Sequence, residues 1–253
     1  MGRMYENTKS WNPYVGCDFD PTCIYCKVSF QAIMKRQPCE LCQQYKPHEH
    51  PDRLDSIPTG YPIVFICACG DISWAHPDFV KEMLVAVRIH QREHGKRQTF
   101  YLQSKNPECF RDCLHYLNDS FVLVTTLETN RDEGYDKISG APPPTLRWRR
   151  FMALEYKRKI VTVEPVMDFD LEPFLKMILD TKCEKVYIGY NSRPSQVHLP
   201  EPPIEKVLAL ARGIREAGIE VVPKDLRGWE DQARGEARKG NGQNGDINLD
   251  AFM

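Results

Sequence analysis

Three cysteines fall within ten residues early in the chain: Cys17, Cys23 and Cys26, in the stretch WNPYVGCDFDPTCIYC. Three thiols cannot all pair with one another as disulfides, but as thiolates they can converge on one metal centre. They are one ligand short of the closed set that a structural zinc ion or an electron-transfer cluster takes. Three thiolates on a four-iron, four-sulfur cluster leave one iron open to a small molecule. Two other readings compete. A free cysteine often packs as a small hydrophobe, and a C-x2-C pair alone does not name its metal, so zinc stays open. Packing explains the trio poorly, because Gly16, Asp18, Asp20, Pro21 and Thr22 mark a turn rather than a core segment.

A second cluster follows in PCELCQQYKPHEHPDRL. Cys39, Cys42, His48 and His50 are spaced C-x2-C-x5-H-x-H. Two sulfurs and two nitrogens make the tetrahedral donor set of a zinc knuckle. A polar surface insertion over residues 38–58 with incidental histidines, and a second iron–sulfur site, are the alternatives.

Something must position these groups, and the chain is long enough to do so. Its 253 residues are 42% hydrophobic and 27% charged, as in ordinary globular proteins, and can bury a large core without disulfide staples. The formal net charge is −1, from 34 basic and 35 acidic residues, which argues against a wholly basic nucleic-acid coat. No apolar run is long enough to span a bilayer, and residues 1–10 are polar, without a signal peptide. The ten cysteines in a chain of this size suggest metal or redox chemistry in a reducing compartment, and a cytoplasmic location is expected.

Apolar runs and amphipathic stretches alternate along the chain. Strands are expected at residues 10–15, 61–69, 99–103, 121–127, 160–163, 185–189 and 219–222. Helices are expected after Cys26 up to Pro38, and at 78–90, 108–117, 145–156, 171–179 and 205–217. Alternation of this kind means parallel strands joined by crossover helices. About six to seven strands describe an incomplete (β/α) barrel. A polar residue follows each apolar run: Asp71 after Gly70, then Lys105, Glu128, Glu164, Asn191 and Lys224. In parallel barrels those C-terminal strand ends form the active-site face. Cys67 and Cys69, two apart on the expected second strand, share one face of it. Residues 1–229 thus form one barrel domain with the insertion at 38–58. Residues 230–253 have almost no apolar content before Ile247 and are expected to be a disordered tail.

A three-cysteine loop after the first strand of such a barrel, with Tyr25 before the last cysteine, resembles the radical S-adenosylmethionine (SAM) superfamily. Most members space the cysteines C-x3-C-x2-C; here the first gap is five residues. Within it the chain resembles a phage and prokaryotic family described as three-Cys-motif proteins. The resemblance runs through WNPYVGC, HPDRLD, CGDISWAHPDF, QSKNP, TTLET, TVEPVMDF, IGYNS and VVPKD, nearly the whole chain to about residue 228. It implies a [4Fe-4S] cluster on Cys17, Cys23 and Cys26 whose free iron chelates SAM. Reductive cleavage would then give a 5′-deoxyadenosyl radical that abstracts a hydrogen atom. An external one-electron donor of ferredoxin or flavodoxin type is implied too. Gly70 and Asp71 stand where the superfamily contacts the SAM amino group. Glu128 or Glu164 would accept from the ribose hydroxyls, and Lys105 would meet the SAM carboxylate or a substrate anion. Asn191 completes the set of cofactor-binding candidates.

The substrate is not given by this resemblance; a small molecule, a nucleotide or a nucleic-acid base are all open. A different class of function is a zinc-structured nucleic-acid-binding protein without SAM chemistry, for which Arg147, Trp148, Arg149 and Arg150 offer phosphate-binding and base-stacking side chains. The same run also reads as a solvated helix face. A SAM-independent metal hydrolase is a third possibility. Iron with sulfide favours the first, zinc with nucleic-acid affinity the second, and iron without sulfide the third.

Overall fold

The computed structural model describes residues 7–95 and 97–227; the expected disordered tail lies outside them. Seven parallel strands form one sheet: β1 (Thr8–Trp11), β4 (Ile63–Ile66), β5 (Thr99–Gln103), β6 (Phe121–Thr126), β7 (Lys159–Val163), β8 (Lys185–Ile188) and β9 (Glu220–Pro223). They neighbour one another in that order, so each new strand adds to the same side of the last. β1 and β9 are the two edges, and the sheet curls into an incomplete (β/α) barrel, as the alternating pattern predicts.

Each strand divides its side chains between two apolar layers, because successive residues point to opposite faces. Phe65, Tyr101, Val122, Val124, Ile160 and Tyr187 form a small cluster of their own. The alternate positions, among them Ile66, Phe100, Phe121, Val161 and Ile188, belong to the larger core. All six residues of β6 are apolar or β-branched and all six are buried, as a central parallel strand covered on both faces should be.

The larger core is closed by α3 (Pro77–His94), α4 (Pro144–Met152), α5 (Leu171–Asp180) and α6 (Ile204–Glu216). α6 buries Val207, Leu210, Ala211 and Ile214, one face at i, i+3, i+4 and i+7. Gly213 lets α6 approach α5 closely: a Cβ there would stand 2.7 Å from the Leu175 side chain.

Several boundaries differ from the sequence expectation. The first strand ends at Trp11; Tyr14–Val15 (β2) leaves the main sheet and pairs antiparallel with His48–Glu49 (β3). Pro13 lies between them and has no N–H to continue a ladder. The 61–69 run is strand only over Ile63–Ile66. Cys67 has a φ of 56° and turns the chain, so Cys67 and Cys69 do not share a strand face. Residues 107–116 wind as a 3₁₀ segment starting at Pro107. α1 (Ile24–Met34) begins before Cys26, and the insertion carries a short helix, α2 (Glu40–Gln43). Among the described residues, no helix is long and apolar enough to cross a membrane.

Phe174 is fully buried on α5, its ring 5.0 Å from Phe169. Phe174→Ala is expected to cost about 3–5 kcal/mol, read as a lower urea midpoint at an unchanged denaturant slope.

Candidate metal and cofactor site

The three loop cysteines gather at a cavity of about 710 Å³. Cys17, Cys23 and Cys26 line it together with Gly70, Asp71, Lys105, Glu164 and Asn191. The strand-end residues thus face the same space as the cysteines, as expected where βα loops crowd one end of a barrel. Lys224 and Arg193 add cations to that wall.

Backbone contacts fix the loop from two sides. On one side Gly16 N–H donates to Cys69 O at 3.0 Å and Asp71 N–H to Gly16 O at 3.1 Å. The two glycines are required there. A Cβ on Gly70 would stand 2.7 Å from Gly16 O, and one on Gly16, with φ at 97°, would stand 2.2 Å from Lys46 O. On the other side, the segment after β6 clasps the loop: Gly140 N–H donates to Pro21 O at 2.7 Å and Ile24 N–H to Ile138 O at 3.1 Å. Ser139 brings its hydroxyl to 2.8 Å from Cys23 Sγ.

The charged partners are buried. Lys105 Nζ donates to Cys23 Sγ at 3.3 Å and to Cys26 Sγ at 3.9 Å. It also bonds Tyr25 OH and lies 3.6 Å from Glu128 Oε1. Burial pushes this amine down, but Cys23, Cys26 and Glu128 outweigh burial and hold it well above the ordinary lysine value. The hydrogen bond from Cys26 pulls the Cys23 thiol down, helped by Lys105 and Ser139, while Cys26 itself is pushed up by that shared bond and by burial. Burial, with Asp71 nearby, pushes the Cys17 thiol up to about 12.

Glu128 does not reach the cavity. Its side chain is fully buried, and Arg147 Nη2, itself fully buried, donates to Oε2 at 2.7 Å. Tyr25 OH and Tyr135 OH donate to Oε1. Burial alone would raise this carboxyl; Arg147 and Lys105 overcome it and keep it below the usual range. A ribose hydroxyl therefore has no access to Glu128, which instead anchors the helix that carries Cys26. The other candidates have partners as well. Asp71 Oδ1 accepts from Ser73 N, Ser73 Oγ and Ser104 Oγ, and Oδ2 from Lys105 N. Glu164 pairs with Lys224. Asn191 Nδ2 donates to Val197 O at 2.7 Å and its Oδ1 accepts from Arg193 N. Arg147 is buried and cannot serve a nucleic-acid surface.

Ser139, Tyr135 and the buried role of Arg147 were not visible in the sequence. Only Arg147 carried a signal: a charge on the apolar stripe of α4, beside buried Phe151 in a helix of high amphipathicity.

The donor set suits an iron–sulfur cluster. Among the described residues, the loop cysteines are not one of the sets whose ligand atoms all lie within 4.8 Å of one another, whereas Cys39, Cys42, His48 and His50 are. A cation within hydrogen-bond reach of two of the sulfurs offsets the negative charge that thiolates and cluster bring.

The partial barrel is similar in fold to several solved structures. Similar solved structures include "Crystal structure of Streptococcus suis SuiB bound to precursor peptide SuiA", at TM-score 0.61 and 11% identity, over 89% of this chain and 50% of that one. A radical SAM methyltransferase from Sphaerobacter thermophilus matches at TM-score 0.55 and 16% identity, over 90% of this chain and 69% of that one. This chain thus spans half the length of SuiB. No protein-family model matches the chain, and no curated protein matches it.

Arg147→Met leaves the Glu128 carboxylate buried without its main partner and is expected to cost about 3–5 kcal/mol. The double variant Glu128→Leu/Arg147→Met, which removes both charges, should recover much of that loss. Equal destabilisation in single and double variants, measured by urea unfolding, would show that the ion pair itself does not set the cost.

Proposed function

We propose that the protein is a radical SAM enzyme acting in the cavity at the C-terminal strand ends. The observation that carries this reading is the convergence of three loop thiols, with Lys105 Nζ 3.3 Å from one of them, on the mouth of that cavity. The partial-barrel fold supports it. A cluster and SAM, when bound, supply a one-electron cleavage that yields a 5′-deoxyadenosyl radical, which needs a ferredoxin- or flavodoxin-type donor.

The chain's own residues have distinct tasks. Cys17, Cys23 and Cys26 hold the cluster. Lys105 balances thiolate charge, and its tether through Tyr25 and Glu128 keeps it from swinging toward solvent. Gly16 and Gly70 let the backbone approach where side chains would clash. Gly70 and Asp71, beside the cysteines, are placed to meet the SAM amino group, with Asp71 Oδ2 carrying one protein bond. Glu164, Asn191 and Lys224 line the other side of the cavity and contact SAM or substrate there. Buried Phe65 and Ile160 lie in the apolar cluster beneath and keep water from the inner end. The volume falls within the range of small-molecule sites, so the reacting group is a small molecule or a single residue or base presented into the cavity. The burial of Arg147 takes one of the four side chains of the 147–150 run away from any nucleic-acid surface, which weakens the reading as a nucleic-acid-binding protein without SAM chemistry.

The test is anaerobic incubation with SAM and dithionite. Wild type should form 5′-deoxyadenosine, and Cys23→Ala should form none; equal product from both overturns the reading. A second expectation concerns Lys105→Met. Loss of a cation beside two ligating sulfurs disfavours the more negative, reduced cluster. A redox titration followed by electron paramagnetic resonance should place its potential lower than in wild type, with iron content unchanged.

A further inference from the structure

The insertion between α1 and β4 holds a second and separate donor set. Cys39, Cys42, His48 and His50 come together with their ligand atoms all within 4.8 Å of one another. We propose that these four side chains bind one zinc ion, and that this ion braces the strand pair leading into the loop of Cys17, Cys23 and Cys26.

The distances suit a single tetrahedral ion. Zn–S bonds of about 2.3 Å and Zn–N bonds of about 2.0–2.1 Å at tetrahedral angles set S···N separations of about 3.6 Å. Here His48 Nε2 lies 3.4 Å from Cys39 Sγ and 3.3 Å from Cys42 Sγ, and His50 Nε2 lies 3.2 Å from Cys42 Sγ. Ligands this compact, half of them imidazole, suit one ion rather than a cluster.

The outer contacts orient the ligands. His48 Nδ1 is 2.8 Å from Lys46 O, and a carbonyl oxygen can only accept. That nitrogen therefore carries a proton. His50 Nδ1 faces Asp52 Oδ1 at 3.7 Å. Metal-bound histidines typically show this arrangement, one nitrogen held by an oxygen and the other turned to the ion. Arg53 Nη2, 4.0 Å from Cys42 Sγ, adds positive charge beside a sulfur that becomes a thiolate on binding.

The site touches the catalytic end through short links. His48 and Glu49 form β3 and pair with Val15 and Tyr14 of β2, two residues before Cys17. His50 N–H donates to Pro13 O at 2.6 Å. Cys42 packs with Val15 and Met34, and Tyr45, just beyond, stacks on Phe30 with ring centroids 5.7 Å apart. Phe30 and Tyr45 line the cavity. One ion would therefore tie α2 and β3 to the strand and helix flanking the loop cysteines.

The experiment uses the full chain with Cys17→Ala, Cys23→Ala and Cys26→Ala, so that no other thiolate trio competes. Metal analysis should find zinc at about one ion per chain, and adding Cys39→Ser and Cys42→Ser should abolish it. Absence of zinc in the triple variant, when the wild type also lacks it, overturns the proposal. Zinc-edge X-ray absorption on wild type gives a reading independent of how the variants fold. Two sulfur and two nitrogen neighbours are expected, and a zinc shell of sulfur alone or of oxygen and nitrogen alone overturns the assignment. Zinc removal by a chelator should raise hydrogen exchange at residues 14–17 and 48–50 while β6 stays protected; unchanged exchange there overturns the brace. None of these readouts involves iron or SAM, so they stand or fall apart from the radical chemistry.

Discussion

A single carboxylate with no access to water, Glu128, ties the cysteine helix to the sheet. Placed at the end of β6, it is met by Arg147 from α4, by Tyr25 from α1, by Tyr135 from the following loop and at longer range by Lys105 from the end of β5. An isolated buried charge is costly, and even a paired one recovers its desolvation only with good geometry and further hydrogen bonds. Here those bonds exist on both oxygens. The arrangement is weak grounds for stability but strong grounds for position. The partners of Glu128 come from four separate parts of the chain, and their mutual placement must satisfy them all. Tyr25 sits between Cys23 and Cys26 in sequence, so the carboxylate sets where the two sulfurs lie relative to Lys105.

That constraint works with a second one made of backbone. The loop cannot be held by apolar packing, since it is rich in Gly, Asp and Pro. It is held by main-chain hydrogen bonds on one flank to the turn after β4 and on the other to residues 138–140. Both flanks require glycine at the contact: Gly16 and Gly70 on one, Gly140 on the other, where a Cβ would lie 2.1 Å from Asp20 O. Asp71 joins this frame to the next strand end through Ser104 and Lys105 N. The cavity wall is therefore a rigid rim built from consecutive strand ends.

Much of this was readable from the residues. The run FVLVTT and its like, spaced by amphipathic stretches, announce parallel strands and crossover helices, and the polar residues after each run mark one rim. What escaped reading depends on three-dimensional closure. The break at Pro13 depends on where His48–Glu49 comes to pair. Cys67 looks like a strand residue because its neighbours are apolar, yet its left-handed φ ends the strand. Glu128 and Glu164 look alike in sequence, each following a buried strand. Only the approach of Arg147 from a later helix takes one of them out of solvent, while the other stays on the cavity wall beside Lys224. Ser139 reaches Cys23 across 116 positions, and no local pattern marks such a contact.

A chain with seven thiols in its first seventy residues must also keep the two proposed metal centres apart. Two physical differences can do this. The Cys39–His50 set is compact and half imidazole, a donor arrangement that suits one borderline ion such as zinc. The loop set is all sulfur, and Lys105 is buried against it, a cation that would offset the negative charge of the proposed cluster. Neither of the remaining two belongs to the compact set or lines the cavity. Cys67 is buried against Met83 Sδ at 3.8 Å, and its thiol is pushed by burial up to about 12. Cys69 is likewise pushed up, to about 11, by burial and by Cys42. Selectivity in this region thus rests on spacing, donor type and local charge together, with no single residue able to supply it.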